Sequence, residues 1–206
     1  MISSQHDNVA ARFARDTAAH RMTILHEEGL YRHLRFRNPE TDGRAPFDLI
    51  TWPYNLVVKT GWTFHFDIDA TPDMFVLFRK TAFPGEINPG YWSEKVRAGR
   101  DEIEGFDPNL FEGQVKRYVV HSIREGEAPR GIGAEVTREI FEMGDIFDEA
   151  SARSALAGFR YEGWDFGDLA EWDFTDYNPG FLHSCRAIRR GIDLWDAARK
   201  QAEVAA

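Results

Sequence analysis

Two stretches in the first seventy residues alternate apolar with polar side chains. Over 30–37, Leu34 and Phe36 alternate with His33, Arg35 and Arg37; over 62–69, Trp62, Phe64, Phe66 and Ile68 alternate with His65, Asp67 and Asp69. Period-two alternation predicts antiparallel strands with one buried and one wet face. Residues 47–52 and 55–59 read as two further strands, and Asn38-Pro39, Trp52-Pro53 and Thr60-Gly61 as the turns or bends between them. Beyond residue 70 the spacing becomes helical. Thr71-Pro72, Asn88-Pro89, Asp107-Pro108 and Asn178-Pro179 each put a capping side chain ahead of a proline, which predicts four helix starts.

One helix over 107–124 carries Leu110, Phe111, Val115, Tyr118, Val119 and Ile123, and another runs from about 133 to 143. The last helix spaces Phe181, Cys185, Ile188, Ile192 and Trp195 as a single buried stripe, with Arg186, Arg189, Arg190 and Asp193 off it. Residues 7–21, rich in Ala and Arg, read as a mostly exposed helix or arm. This order predicts an α+β fold: an antiparallel sheet of about four strands within 30–69, packed against several helices within 72–203. Without a repeat or a low-complexity linker, 1–25 is expected to form an N-terminal helix or arm and 26–206 a single domain.

Composition narrows the class. At 206 residues, 43% hydrophobic and 29% charged, the chain lies in the globular range. Its longest apolar run, Met74 to Phe78, is far short of the ~20 residues that cross a bilayer. The first residues hold no apolar core of a secretory signal. The single cysteine, Cys185, excludes an intramolecular disulfide and a multi-cysteine zinc site. A cytoplasmic location is therefore expected. The net charge of −9 is concentrated: residues 139–185 hold eleven acids and two bases, and the remainder balances.

Five strings, 26–36 (HEEGLYRHLRF), 47–53 (FDLITWP), 73–79 (DMFVLFR), 88–95 (NPGYWSEK) and 172–195 (WDFTDYNPGFLHSCRAIRRGIDLW), resemble a family of proteins encoded by tailed phages and prophages. The resemblance spans most of 26–195. It implies a shared fold, a phage origin and hence a bacterial host cell, and it carries no established activity. Residues 62–69 and the first twenty depart from the family pattern, so no site there is supported by it.

In 161–177 (YEGWDFGDLAEWDFTDY), six acids interleave with Tyr161, Trp164, Phe166, Trp172, Phe174 and Tyr177, with no base among them. One reading makes this a partner-binding surface. Asp145, Asp148, Glu162, Asp165, Asp168, Glu171, Asp173 and Asp176 would then form a contiguous negative face with an exposed Trp164 or Trp172. The partner would be a host protein with a basic nucleic-acid-binding groove, as in a CRISPR or restriction complex, with carboxylates standing in for phosphates. This reading needs no catalytic residue, cofactor, membrane or direct nucleic-acid binding. The other reading puts the aromatics in the core and leaves the acids to solvate a loop.

The sheet offers a second constellation. His65, Asp67 and Asp69, with His33 from another strand, have the donor types of a divalent metal site in a hydrolase. The same residues also read as a solvated face, with Arg35 and Arg37 pairing across strands to Asp67 and Asp69. Asp48, in an apolar strand, is expected to face inward with an arginine partner. His26, Glu27 and Glu28 read as a polar turn, and Glu135, Glu139 and Glu142 as an acidic helix face. His121 and His183 read as structural, and Cys185 as an inert core thiol. The chain has no P-loop, GxGxxG, G-x-S-x-G or HExxH.

Overall fold

The computed structural model describes residues 5–40, 45–80 and 86–205, so the first four residues of the expected arm lie outside it. In chain order its elements are α1 (Gln5–Thr17), β1 (Arg21–Glu28), β2 (Tyr31–Arg37), β3 (Phe47–Trp52), β4 (Asn55–Lys59), β5 (Thr63–Asp67), α2 (Met74–Arg79), α3 (Pro89–Ser93), β6 (Val96–Ala98), β7 (Glu104–Phe106), α4 (Pro108–Arg124), α5 (Ile132–Val136), α6 (Glu149–Gly158), β8 (Thr175–Tyr177) and α7 (Pro179–Ala205). A π-helical turn, Thr137–Glu142, follows α5. The class is α+β. The elements form two compact units, one made of Met1–Ile103 with Tyr177–Ala206, the other of Glu104–Asp176.

In the first unit, β1 to β6 pair in sequence order as one antiparallel sheet. The sheet therefore has six strands rather than about four. Leu34, Phe36, Phe47, Leu49, Leu56, Val58, Phe64 and Phe66 line its buried face, as period two requires. All five stripe residues of α7 are buried in the same core, together with Met74, Phe75, Leu77 and Phe78 of α2. Gly191 lets α7 come close to the sheet. A Cβ there would stand 2.5 Å from Leu49 Cδ1 and 3.1 Å from the Phe36 ring.

Several expectations need correction in this unit. The polar turn expected at His26–Glu28 is the end of β1, an edge strand with only Met22 half-buried among eight residues. Such a strand has no buried face to betray it, and is held by its backbone ladder to β2. Trp62 leaves the alternation and is 45% exposed. Thr60 exchanges bonds with its backbone, and its ring covers Gly180, where a Cβ would meet it at 2.5 Å. Helix α2 starts at Met74 rather than after Thr71. Asp73 is the cap, accepting from Phe75 N at 3.0 Å while Arg32 grips its carboxylate at 2.9 and 3.2 Å. The charged Asp73 is a stronger acceptor than Thr71, and it sets the boundary.

Asp48 faces the wet side, because Phe47 and Leu49 occupy the inner one. It is buried all the same. Arg35, opposite it in register, donates to both its oxygens at 3.0 and 2.9 Å, and His33 Nε2 lies 2.8 Å from Oδ2. Burial alone would raise this carboxyl, but the Arg35 and His33 hydrogen bonds more than offset that and hold it below its ordinary range.

The second unit packs α4, α5, the π-helical turn and α6 around Phe111, Val115, Val119, Ile132, Val136, Ile140, Leu156 and Phe159. Asp107 caps α4, accepting from Asn109 N at 2.7 Å. Asp148 and Ser151 form a reciprocal capping box on α6. The helix expected near 133–143 is α5 continued by the π-helical turn. Ile123 falls outside the core stripe of α4 and is exposed.

Candidate functional site

The loop that follows α6 is built by its aspartates. Asp165 accepts from Gly167 N at 2.8 Å, Asp168 from Ala170 N at 2.8 Å, and Asp173 from Thr175 N at 2.9 Å. Each is a carboxylate reaching the amide two residues on, the turn that aspartate favours. Tyr161 and Trp164 exchange backbone bonds across Glu162 and Gly163, whose φ values are +48° and +81°. Positive φ at both central residues suits a tight hairpin, and the glycine takes it without strain. Arg153 pins the loop to α6, donating to Leu169 O at 2.8 Å, Trp172 O at 2.5 Å and Glu149 at 2.8 Å.

These turns fold the aromatics inward. Trp164, only 9% exposed, joins Phe159, Phe166 and Phe174 in the core. Its ring meets Phe166 at 5.0 Å and 67°, an edge-to-face contact. Tyr118 of α4 contacts Trp164, Phe166 and Trp172 from the other side. The expectation of a protruding tryptophan is thus corrected. Trp164 is a core residue, and Trp172 is half-buried beside a shallow cleft of about 420 Å³ that Gln114, Arg117, Tyr118 and Glu171 also line.

The carboxylates stay outside. Asp145, Asp148, Glu162, Asp168, Glu171 and Asp173 are exposed, and Asp165 and Asp176 are half-buried. Hydrogen bonds from Ser151 and Thr175 hold Asp148 and Asp173 below the usual carboxylate range, so both are ionised at neutral pH. The unit as a whole has seventeen acids against seven bases, a charge of −10, while the first unit has seventeen against eighteen.

Two apolar residues that sequence reasoning passed over stand among these acids. Phe147 is 74% exposed and Met143 69%. Phe147 immediately precedes the cap Asp148, where an apolar side chain ordinarily packs on the fourth helical residue. Here that residue is the buried Ala152, too short to hold a phenyl ring. An apolar N′ position facing an alanine was the available signal.

The sheet constellation does not assemble. His65 Nε2 lies 2.6 Å from Asn55 Oδ1, and its ring stacks on Trp52 at 5.5 Å. Asp67 pairs with Arg97 at 3.2 Å, and Asp69 lies beyond β5, exposed. His33 sits three strands from β5, about 14 Å at the usual strand spacing. Among the described residues no three His, Cys, Asp or Glu side chains are grouped to hold a metal ion. Strand order also corrects the expected pairing of Arg35 and Arg37 with Asp67 and Asp69, since β2 borders only β1 and β3. Glu135 and Glu139 both pair with Arg138. Burial pushes the Cys185 thiol well up, in keeping with an inert core residue.

No protein-family model, curated protein or solved structure matches the chain. Among the described residues no helix is long and apolar enough to cross a membrane.

Proposed function

We propose that the chain is a non-catalytic binding protein whose 104–176 unit docks on a basic, nucleic-acid-binding surface of another protein. The carrying observation is the charge of −10 confined to that unit, with Asp148, Asp168 and Asp173 bonded to backbone amides rather than to cations. An amide satisfies a carboxylate's lone pair and leaves its charge in place. Such a one-signed surface accelerates encounter with a basic partner and fixes orientation. Phe147 and Met143 supply apolar anchors within the acidic surround, the pairing that concentrates binding energy at interfaces. With the resemblance to phage proteins, the fitting partner is a nucleic-acid-handling or defence complex of a bacterial host.

The test is capture from a bacterial lysate by the whole chain, at roughly 0.05 M and 0.5 M salt, where screening lengths differ several-fold. The captured protein should itself bind nucleic acid, be displaced by duplex DNA, and be lost at the higher salt. Joint reversal of Asp145, Glu162 and Glu171 to lysine, none of which caps a helix or closes an aspartate turn, should abolish capture. Capture that survives this reversal would sink the reading.

A further inference from the structure

Three arginines of α7 that lie off its buried stripe share one space. Arg186, Arg189 and Arg190 line a cavity of about 380 Å³ whose opposite wall is α1, with Ala10 and Ala14, and Ala18 just beyond it. Asp193 lines it as well. A guanidinium keeps its charge at any physiological pH and offers five N–H donors. Few of those donors are used here. The Nε atoms of Arg186 and Arg189 are buried without an acceptor, as is that of Arg32. Arg186 Nη2 reaches His6 O, and Arg189 Nη1 reaches Phe78 O, each at 3.4 Å, beyond the usual hydrogen-bond range. Arg189 also pairs with Asp193. Arg190 makes no hydrogen bond or ion pair among the described residues.

The rest of the unit shows what is missing. Arg32, Arg35 and Arg79 each grip one carboxylate with two bonds, on Asp73, Asp48 and Asp196. The cavity is lined by three guanidiniums and one carboxylate, Asp193, and Asp7 of α1 is a second acid within Coulombic reach of Arg186. Burial lowers the Arg186 pKa, and the charge of Asp7 offsets this only in part. An anion in the cavity would meet the guanidiniums that line it.

We propose that this cavity binds a phosphoryl anion, either orthophosphate or the head group of a small phosphomonoester. The surplus of guanidiniums over the carboxylates of Asp193 and Asp7 suits an anion. The three arginines approach from successive turns of one helix, so their donors spread over more than one plane, which suits a tetrahedral oxyanion. The alanine wall leaves room for a small organic remainder. The proposal concerns the first unit only and is independent of the acidic surface.

Calorimetric titration of the whole chain with orthophosphate and with glycerol 3-phosphate, at ionic strength fixed with sodium chloride, tests it. Both ligands should bind and raise the melting temperature. Arg190→Ala, which removes no internal partner, should weaken binding by about tenfold or more and leave the unliganded melt unchanged. Arg186→Gln should weaken it too if the variant folds; Arg190→Ala decides in any case. Tighter binding of glycerol 3-phosphate marks a phosphomonoester site, and equal binding marks a free-phosphate site. No response beyond that of chloride, an undiminished response in Arg190→Ala, or tighter binding of succinate than of either phosphate would overturn the assignment.

Discussion

In the sheet unit, Asp48, Asp73 and Asp196 each lie against an arginine at 2.6 to 3.2 Å, and both geometry and charge are closed. In residues 104–176, Asp107, Asp148, Asp168 and Asp173 instead accept from backbone amides one turn or less away, and Asp165 does so while also pairing with Arg160 at 3.5 Å. The hydrogen bonds in the two sets are of similar length. Their electrostatic residue differs, since a peptide dipole orients a carboxylate without neutralising it. Asp107, Asp148, Asp168 and Asp173 thus build caps and turns and still contribute their charge to the second unit. A surface field and a folded loop come from the same side chains, which is why the two readings of 161–177 need not exclude each other.

The comparison can be broken at its strongest points first. Ile188→Ala in the sheet unit and Phe166→Ala in the second unit should each cost ~2–5 kcal/mol, because each empties a closed core. Arg190→Ala should stay within about 0.5 kcal/mol. Thermal melts check this, and equal melting of the Ile188 and Arg190 variants would mean that the buried face of α7 is misassigned.

Charge-neutral replacements probe the carboxylates themselves. Asp73→Asn should lose roughly 1–3 kcal/mol, because Arg32, itself buried, is left without a counter-charge. Asp168→Asn and Asp173→Asn keep the turn-forming oxygen and shed like-charge repulsion, so their melting temperatures should hold or rise. Loss of stability in both pairs alike would erase the distinction drawn between the units.

The smallest effect is in pH and salt. Asp48 and Asp73 are held below their ordinary range, burial being outweighed by Arg35 with His33 and by Arg32 respectively. A depressed carboxyl contributes stability that is present above its unfolded pKa of about 3.9 and lost as pH falls through the folded value. Acidification below about pH 4 should therefore weaken the sheet unit. In the second unit the same loss, from Asp148 and Asp173, is countered by relief of repulsion. Amide exchange resolved by residue should show the sheet opening first in acid, and added salt at neutral pH should protect 104–176 more than the sheet.

Legibility followed the physical signal. Strands β2 to β5 and helix α7 were readable because one face of each is buried and periodic. Asn88 and Asp107 were readable as caps because their chemistry is local. Strand β1 has no buried face, β6 is three residues long, and α6 buries only Ala152 and Leu156, so none of them announces itself. At the site, charge was visible as composition. The burial of Trp164 was not, because aromatics in an aperiodic loop reveal no face. The arginines of α7 were visible as positions off a stripe. That α1 covers them is a contact across some 180 residues, which no local pattern encodes.

The sheet unit is discontinuous, and this orders events on a growing chain. Strands β1 to β6 are all synthesised by residue 98, yet α7, which supplies Phe181, Ile188 and Ile192 to their core, begins only at Pro179. Residues 104–176, later in sequence, carry a core of their own and can close while α7 is still unmade. During that interval Phe36, Leu49, Val58 and Phe66 lack their helix. A contact that distant is slow to form, and the waiting apolar sheet is the species most open to aggregation and to capture by chaperones.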